Sequence, residues 1–129
     1  MIEFFNPPGA PAPGAFSRAT RAAGLVFVSG TGASNDIGGQ AREGTAAEQT
    51  RWALENVAAI LRAAGSSVER VVQMTLLIQD PADYREINAE YVKHFPHGLP
   101  ARHTARFGVP TAAKVAFACI ALAPDAPAR

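Results

Sequence analysis

Arg102, Thr104 and Arg106 stand two residues apart in a short segment whose pattern is that of a strand. Successive side chains of an extended chain point to opposite sides, so these three share one face, while His103, Ala105 and Phe107 share the other. A planar guanidinium offers two parallel N–H bonds to a carboxylate, so a face carrying Arg102 is suited to gripping an organic acid. The spacing serves an interface ion pair equally well, and for Arg106 the acids Glu43 and Glu86 are candidate partners. Other chemistry-bearing types give weaker patterns. A zinc site needs three or four converging ligands; His94 and His97 straddle Pro96, and the single cysteine, Cys119, lies in an apolar strand-like run, so no metal is expected. Cys119 has no base in sight and reads as a core thiol rather than a nucleophile. The glycines between 30 and 39 are not followed by Gly-Lys-Ser/Thr, so they do not form a phosphate loop.

The elements that must hold these groups follow from periodicity. Residues 7–14 are rich in proline and glycine and predict a surface loop. Residues 16–20 and 25–29 predict two strands joined by a turn ending at Gly24, and Asn35–Gly39 a further turn. Thr45-Ala46-Ala47-Glu48 is a capping box opening a helix. Thr50, Leu54, Val57, Leu61 and Ala64 form its apolar stripe, Trp52 sits at the stripe's boundary, and Gly65 stops it. Residues 70–79 alternate as a strand. Asp80 as N-cap, Pro81 in the first turn and Asp83 predict a second helix, with Tyr84, Ile87, Tyr91 and Phe95 as its buried stripe. Residues 94–100 break that helix, and 101–107 and 114–123 predict the last strands. The order is β-β-α-β-α-β-β, an α+β domain with two helices on one face of a mixed sheet.

The final strand is informative. Val115, Phe117, Cys119 and Ala121 point one way and Ala116, Ala118, Ile120 and Leu122 the other, and both sets are apolar. A sheet with one wet face should alternate, so the second face is expected to meet other copies in a closed symmetric oligomer. The chain has 129 residues, net charge +1 and 48% hydrophobic residues. That suits one globular domain spanning 1–129 and argues against an electrostatically driven nucleic-acid binder. A lone thiol suits a reducing compartment. The start lacks the basic and apolar segments of a secretory leader, and no apolar run nears the roughly 20 residues of a membrane span. A cytoplasmic protein with no membrane partner is expected.

Several segments, in order and spacing, carry a resemblance. They are Gly14-Ala15-Phe16-Ser17, Leu25-Val26-Phe27-Val28-Ser29-Gly30, Gln49-Thr50-Arg51 with Ala53-Leu54-Glu55-Asn56, Ala63-Ala64-Gly65-Ser66-Ser67, Ile87-Asn88 with Tyr91, and Pro100-Ala101-Arg102. From about Ala15 to Ala121 the chain resembles the Rid family of reactive-intermediate deaminases, also called the YjgF or L-PSP group. The resemblance implies a chorismate-mutase-like fold, a homotrimer whose sheets form a central barrel, and clefts between subunits. It implies hydrolysis of enamines or imines of carboxylic acids to ammonia and a keto acid, with no cofactor. In those terms Arg102 grips the substrate carboxylate, Ser29 and Gly30 line the pocket, Phe16 closes over it, and Asn88 and Thr104 stand at its edge. Ser29 and Thr104 are the weak candidates for a catalytic role.

The same resemblance marks three departures. A glutamate that positions water in the family would fall at Ala116, Phe16 replaces a tyrosine, and Arg106 adds a second cation on the Arg102 face. General acid–base assistance is worth about 10²–10⁴-fold, so the expectation is a deaminase with weak or specialised activity. Two alternatives stand beside it: a trimer that binds a small carboxylate with little turnover, and an aminomuconate-type deaminase whose two carboxylates would use Arg102 and Arg106. Some relatives of this group are described as ribonucleases, for which the charge balance is a poor match.

Overall fold

A computed structural model describes residues 1–7, 13–34, 37 and 42–124. The Pro/Gly segment and the turn read at 35–39 therefore lie largely outside the described residues. The chain forms strands β1 (Glu3–Phe5), β2 (Ala19–Ala22) and β3 (Leu25–Thr31), helix α1 (Ala46–Ala63), strand β4 (Val71–Ile78), helix α2 (Tyr84–Tyr91), and strands β5 (Ala101–Arg106) and β6 (Val115–Leu122). All strands join one sheet in the order β1-β2-β3-β6-β4-β5. The β4–β5 pair is parallel and the other pairs are antiparallel. The expected α+β class and the two-helix layer are present, and no described helix is long and apolar enough to cross a membrane.

The helix signals act as local chemistry requires. The Thr45 hydroxyl accepts from the Glu48 N–H at 3.1 Å, and the Glu48 carboxylate accepts from the Thr45 N–H at 2.9 Å. At the far end Gly65 adopts φ +81°. Its N–H and that of Ser66 reach the Arg62 and Leu61 carbonyls at 3.0 and 2.8 Å, closing the last turn. Leu54, Val57, Ile60 and Leu61 are buried against the sheet, and α1 packs over β3 and β6 with α2 beside it.

Three readings need correction. Glu3–Phe5 forms a strand that the local pattern does not announce. It exists because it pairs with β2, where Arg21 lies directly opposite Glu3 and donates to both its carboxylate oxygens at 2.8–2.9 Å. Phe16, Ser17 and Arg18 precede β2 rather than belonging to it. The second helix opens as a 3-10 turn over Pro81–Asp83, with the Asp80 carboxylate accepting from the Ala82 N–H at 2.9 Å. Tyr84, the first residue of α2, is 41% exposed, while Ile87, Tyr91 and Phe95 are buried.

Register defines the two faces of the sheet. Val28, Cys119, Met74 and Arg102 form one cross-strand row; the first three are buried beneath the helices. The neighbouring row runs Phe4, Thr20, Phe27, Ile120, Gln73 and Ala101 on the opposite face. No described element covers that second face. Phe4 and Phe27 are 66% and 39% exposed there.

Candidate functional site

Arg102 is built from the core outward. Phe117, fully buried, stacks on Tyr91 with ring centroids 5.8 Å apart. Tyr91 in turn lies under the Arg102 guanidinium, 4.8 Å from ring centroid to Cζ. A cation over an aromatic face is attracted by the ring quadrupole. Arg102 Nη2 donates to Asn88 Oδ1 at 2.8 Å and to the Tyr84 hydroxyl at 3.0 Å. All its hydrogen-bond partners among the described residues are neutral, and no described carboxylate pairs with it. The half-buried guanidinium is thus oriented but not neutralised.

Beside it opens a groove of about 390 Å³ lined by Asn88, Tyr91, Val92, Leu99, Pro100 and Arg102. Its walls are apolar and its one charge is positive, which suits a small organic anion. A second cavity, of about 130 Å³, lies between α1 and Phe95. Its lining is apolar apart from His94 and the acids Glu55 and Glu69, so it repels the ligand class that Arg102 attracts.

Hydrogen bonding to Asn88 and Arg102, the guanidinium charge and Thr104 together hold the Tyr84 phenol below its ordinary pKa of 10.0. Burial instead pushes the Tyr91 phenol up to about 12, and its hydroxyl finds no protein partner among the described residues. Burial likewise pushes the Cys119 thiol up to about 12, which leaves it inert as a nucleophile.

The other residues named from sequence stand elsewhere. Ser29 and Gly30 lie where the β3–β6 register shifts between Val28 and Thr31. Such bulges re-aim backbone and side chains locally. There the Ser29 hydroxyl donates to the Ser17 carbonyl at 2.6 Å, and its N–H to the Arg18 carbonyl at 3.0 Å. A Cβ added at Gly30 would meet nothing within 4 Å. Phe16 is 52% exposed nearby, with the Arg18 guanidinium 5.7 Å from its ring. Between β3 and β5 lie β6 and β4. Three strand spacings amount to about 14 Å, so one chain does not bring Ser29 and Gly30 to Arg102.

Within the arginine half, Asn88 touches Arg102 directly and Thr104 stands by the Tyr84 phenol. Arg106 does not line the groove; its Nη2 donates to the Gln79 carbonyl at 3.3 Å. Neither suggested acid pairs with it among the described residues, and Glu86 accepts instead from the Ala47 N–H at 2.7 Å. Ala116 shares a row with Leu77 and Ala105, on the face opposite Arg102. The histidines do not converge: His94 pairs with Glu90 at 3.0 Å, and His103 bridges Gln73 and Thr75 on the uncovered face.

Sequence reasoning missed Tyr84 and Tyr91 as parts of this site because helical period assigned both to the core. The spacing Tyr84, Asn88, Tyr91 puts all three on one helical face, and the naming of Asn88 could have drawn the tyrosines with it.

Comparison with known proteins adds the following. Residues 8–123 match the family described as Endoribonuclease L-PSP. The chain is 38% identical over 112 residues to the mitochondrial protein mmf2 of Schizosaccharomyces pombe, covering 84% of this chain and 87% of that one. It is 37% identical over 108 residues to the 3-aminoacrylate deaminase RutC of Acinetobacter baylyi, covering 83% and 86%. Among solved structures, E. coli TdcF with bound serine superposes with a TM-score of 0.81 at 29% identity, covering 93% of this chain and 98% of that one.

Proposed function

The chain belongs to the Endoribonuclease L-PSP family, which includes reactive intermediate deaminases, and on that premise we propose that it hydrolyses enamines or imines of small carboxylic acids to ammonia and a keto acid. The observation that carries this reading is the Arg102 guanidinium, held by Asn88, Tyr84 and Tyr91 yet paired with no described carboxylate. A cation fixed in this way awaits an anion, and its planar fork matches a carboxylate. The relative named as a 3-aminoacrylate deaminase and the structural relative holding serine point to small amino-acid-like acids. The net charge of +1 gives RNA little to hold, and a reducing cytoplasmic setting suits the buried thiol.

The working cleft forms between copies of the chain. Phe16, Ser29 and Gly30 reach a neighbour's Arg102 when the uncovered apolar face, with Phe27, Leu77 and Ile120, closes against other copies in a ring of three. Water then attacks a carbon whose carboxylate Arg102 holds, and the keto acid leaves after ammonia. No cofactor or metal is required.

The test is ammonia release from 2-aminoacrylate or 2-iminobutyrate generated in situ by a separate enzyme. Acceleration over buffer that is lost in Arg102→Ala supports the reading. A second reading, binding with little turnover, is favoured by Phe16 and Ala116, which carry no group able to move a proton. It is supported instead if keto acids raise the unfolding temperature through Arg102 while no ammonia appears.

A further inference from the structure

Hydrolysis of an imine needs a proton to reach nitrogen and another to leave oxygen. The groups around the Arg102 guanidinium divide sharply in their ability to do this. The Arg102 guanidinium is the carboxylate anchor, and Asn88 and Thr104 offer only an amide and an aliphatic hydroxyl. The Tyr91 hydroxyl is buried beneath the guanidinium and its proton is held more tightly than usual. Tyr84 differs in each respect. Its hydroxyl is 3.0 Å from Arg102 Nη2, the residue is 41% exposed, and Thr104 stands beside it.

We propose that Tyr84 is the proton-transferring residue of this cleft, a reading that rests on the deaminase function proposed above. A carboxylate on Arg102 places its adjacent carbon within reach of the groups beside the guanidinium, and the Tyr84 oxygen is the nearest that can both give and take a proton. Water adds to the imine carbon: a C–O bond forms, the C=N π pair moves to nitrogen, and a water proton follows it, giving the neutral carbinolamine. The phenol then gives its proton to that nitrogen. The C–N bond breaks with its pair leaving on ammonia, the C=O bond forms, and the hydroxyl proton returns to the phenolate. The residue ends as it began, and imine plus water has become keto acid plus ammonia. Its hydrogen bonds and the guanidinium charge lower the phenol's pKa, which makes it a better acid.

The experiment compares wild type with Tyr84→Phe, which keeps the ring and leaves Arg102 its Asn88 contact. Expected are a fall in kcat of about 10²-fold, the lower end of general acid–base effects, and a KM within about twofold. Stabilisation by a bound keto acid should persist with at most a small decrease, because Asn88 and Tyr91 still hold the guanidinium. The alkaline limb of the kcat profile in wild type should vanish in the variant. An unchanged kcat, or a fall in kcat matched by loss of keto-acid binding, overturns the role of Tyr84 while leaving the deaminase reading intact. Absence of turnover by the wild type overturns both.

Discussion

The two halves of the proposed cleft are made in different ways. The Arg102 half is a column of side chains: Phe117 supports Tyr91, Tyr91 supports the guanidinium, and Asn88 and Tyr84 fix its plane. The Ser29–Gly30 half is a feature of the backbone, a register shift in β3 tied to the Ser17 and Arg18 carbonyls. The difference follows from what each supplies. A charge must be aimed, and aiming a long side chain costs rotamer entropy that only packing can offset. A wall that offers backbone groups and space needs only a defined bend and no side chain in the way. The first half is therefore complete in one chain, while under the proposed function the second acts only when another copy approaches.

This contrast can be broken at its root. Phe117→Ala removes the base of the column; a fully buried aromatic of this kind costs about 3–5 kcal/mol in unfolding free energy, and denaturant titration reads it. Loss of keto-acid binding should accompany it even where the protein remains folded. Arg102→Ala is next. Two charge-assisted bonds to substrate at about 1.5–3 kcal/mol each amount to at least about 10²-fold in kcat/KM. Unfolding should be nearly unchanged, because the guanidinium bonds only to exposed or half-buried groups. Arg102→Lys should not rescue it, since an ammonium lacks the fork.

The backbone half predicts the opposite dependence. Gly30→Val adds a side chain into open space within one chain, so unfolding measured on dissociated protomers should shift by less than about 0.5 kcal/mol. Activity should fall because the side chain fills space the substrate needs between neighbours, while assembly, read by light scattering, should persist. Tyr91→Phe sharpens the contrast with a smaller effect. It keeps both ring contacts and deletes a buried hydroxyl that has no described partner, so stability should hold or rise by up to about 1 kcal/mol. The smallest effect lies outside both halves. Burial raises the Glu90 pKa, but hydrogen bonding to His94 and the nearby Lys93 outweigh it and hold the carboxyl below its ordinary 4.5. A depressed folded pKa gives stability that is present above the unfolded value and lost as pH falls through the folded one. Thermal unfolding followed from pH 6 down to pH 3 should show this loss, and Glu90→Gln should flatten the slope.

Legibility in the sequence tracked how local each cause is. The capping box at Thr45, the Gly65 stop and the two-sided apolar strand at 115–122 rest on neighbours in the chain, and each stands in the structure as read. β1 escaped notice because Glu3–Phe5 is a strand only through its pairing with β2, a non-local event. Hydrophobic period places Tyr84 in the core with Ile87 and Tyr91, whereas its hydroxyl reaches Arg102 on β5, a contact made by tertiary packing that leaves no mark in the period. The separation of Ser29 and Gly30 from Arg102 depends on the last strand inserting between β3 and β4, and no local pattern encodes sheet order. The residues of the candidate site were thus named from sequence by resemblance, whereas their division between two halves needed the topology.

The most direct test of that division is complementation. Arg102→Ala and Gly30→Val are co-expressed, and ammonia release is measured on the mixed assembly. If each cleft joins one chain's arginine to another chain's bulge, random mixing restores about one quarter of the clefts, although each variant alone is nearly inactive. Recovery to about that level is the predicted result. No recovery, with mixed assemblies shown to form, would contradict a cleft shared between chains.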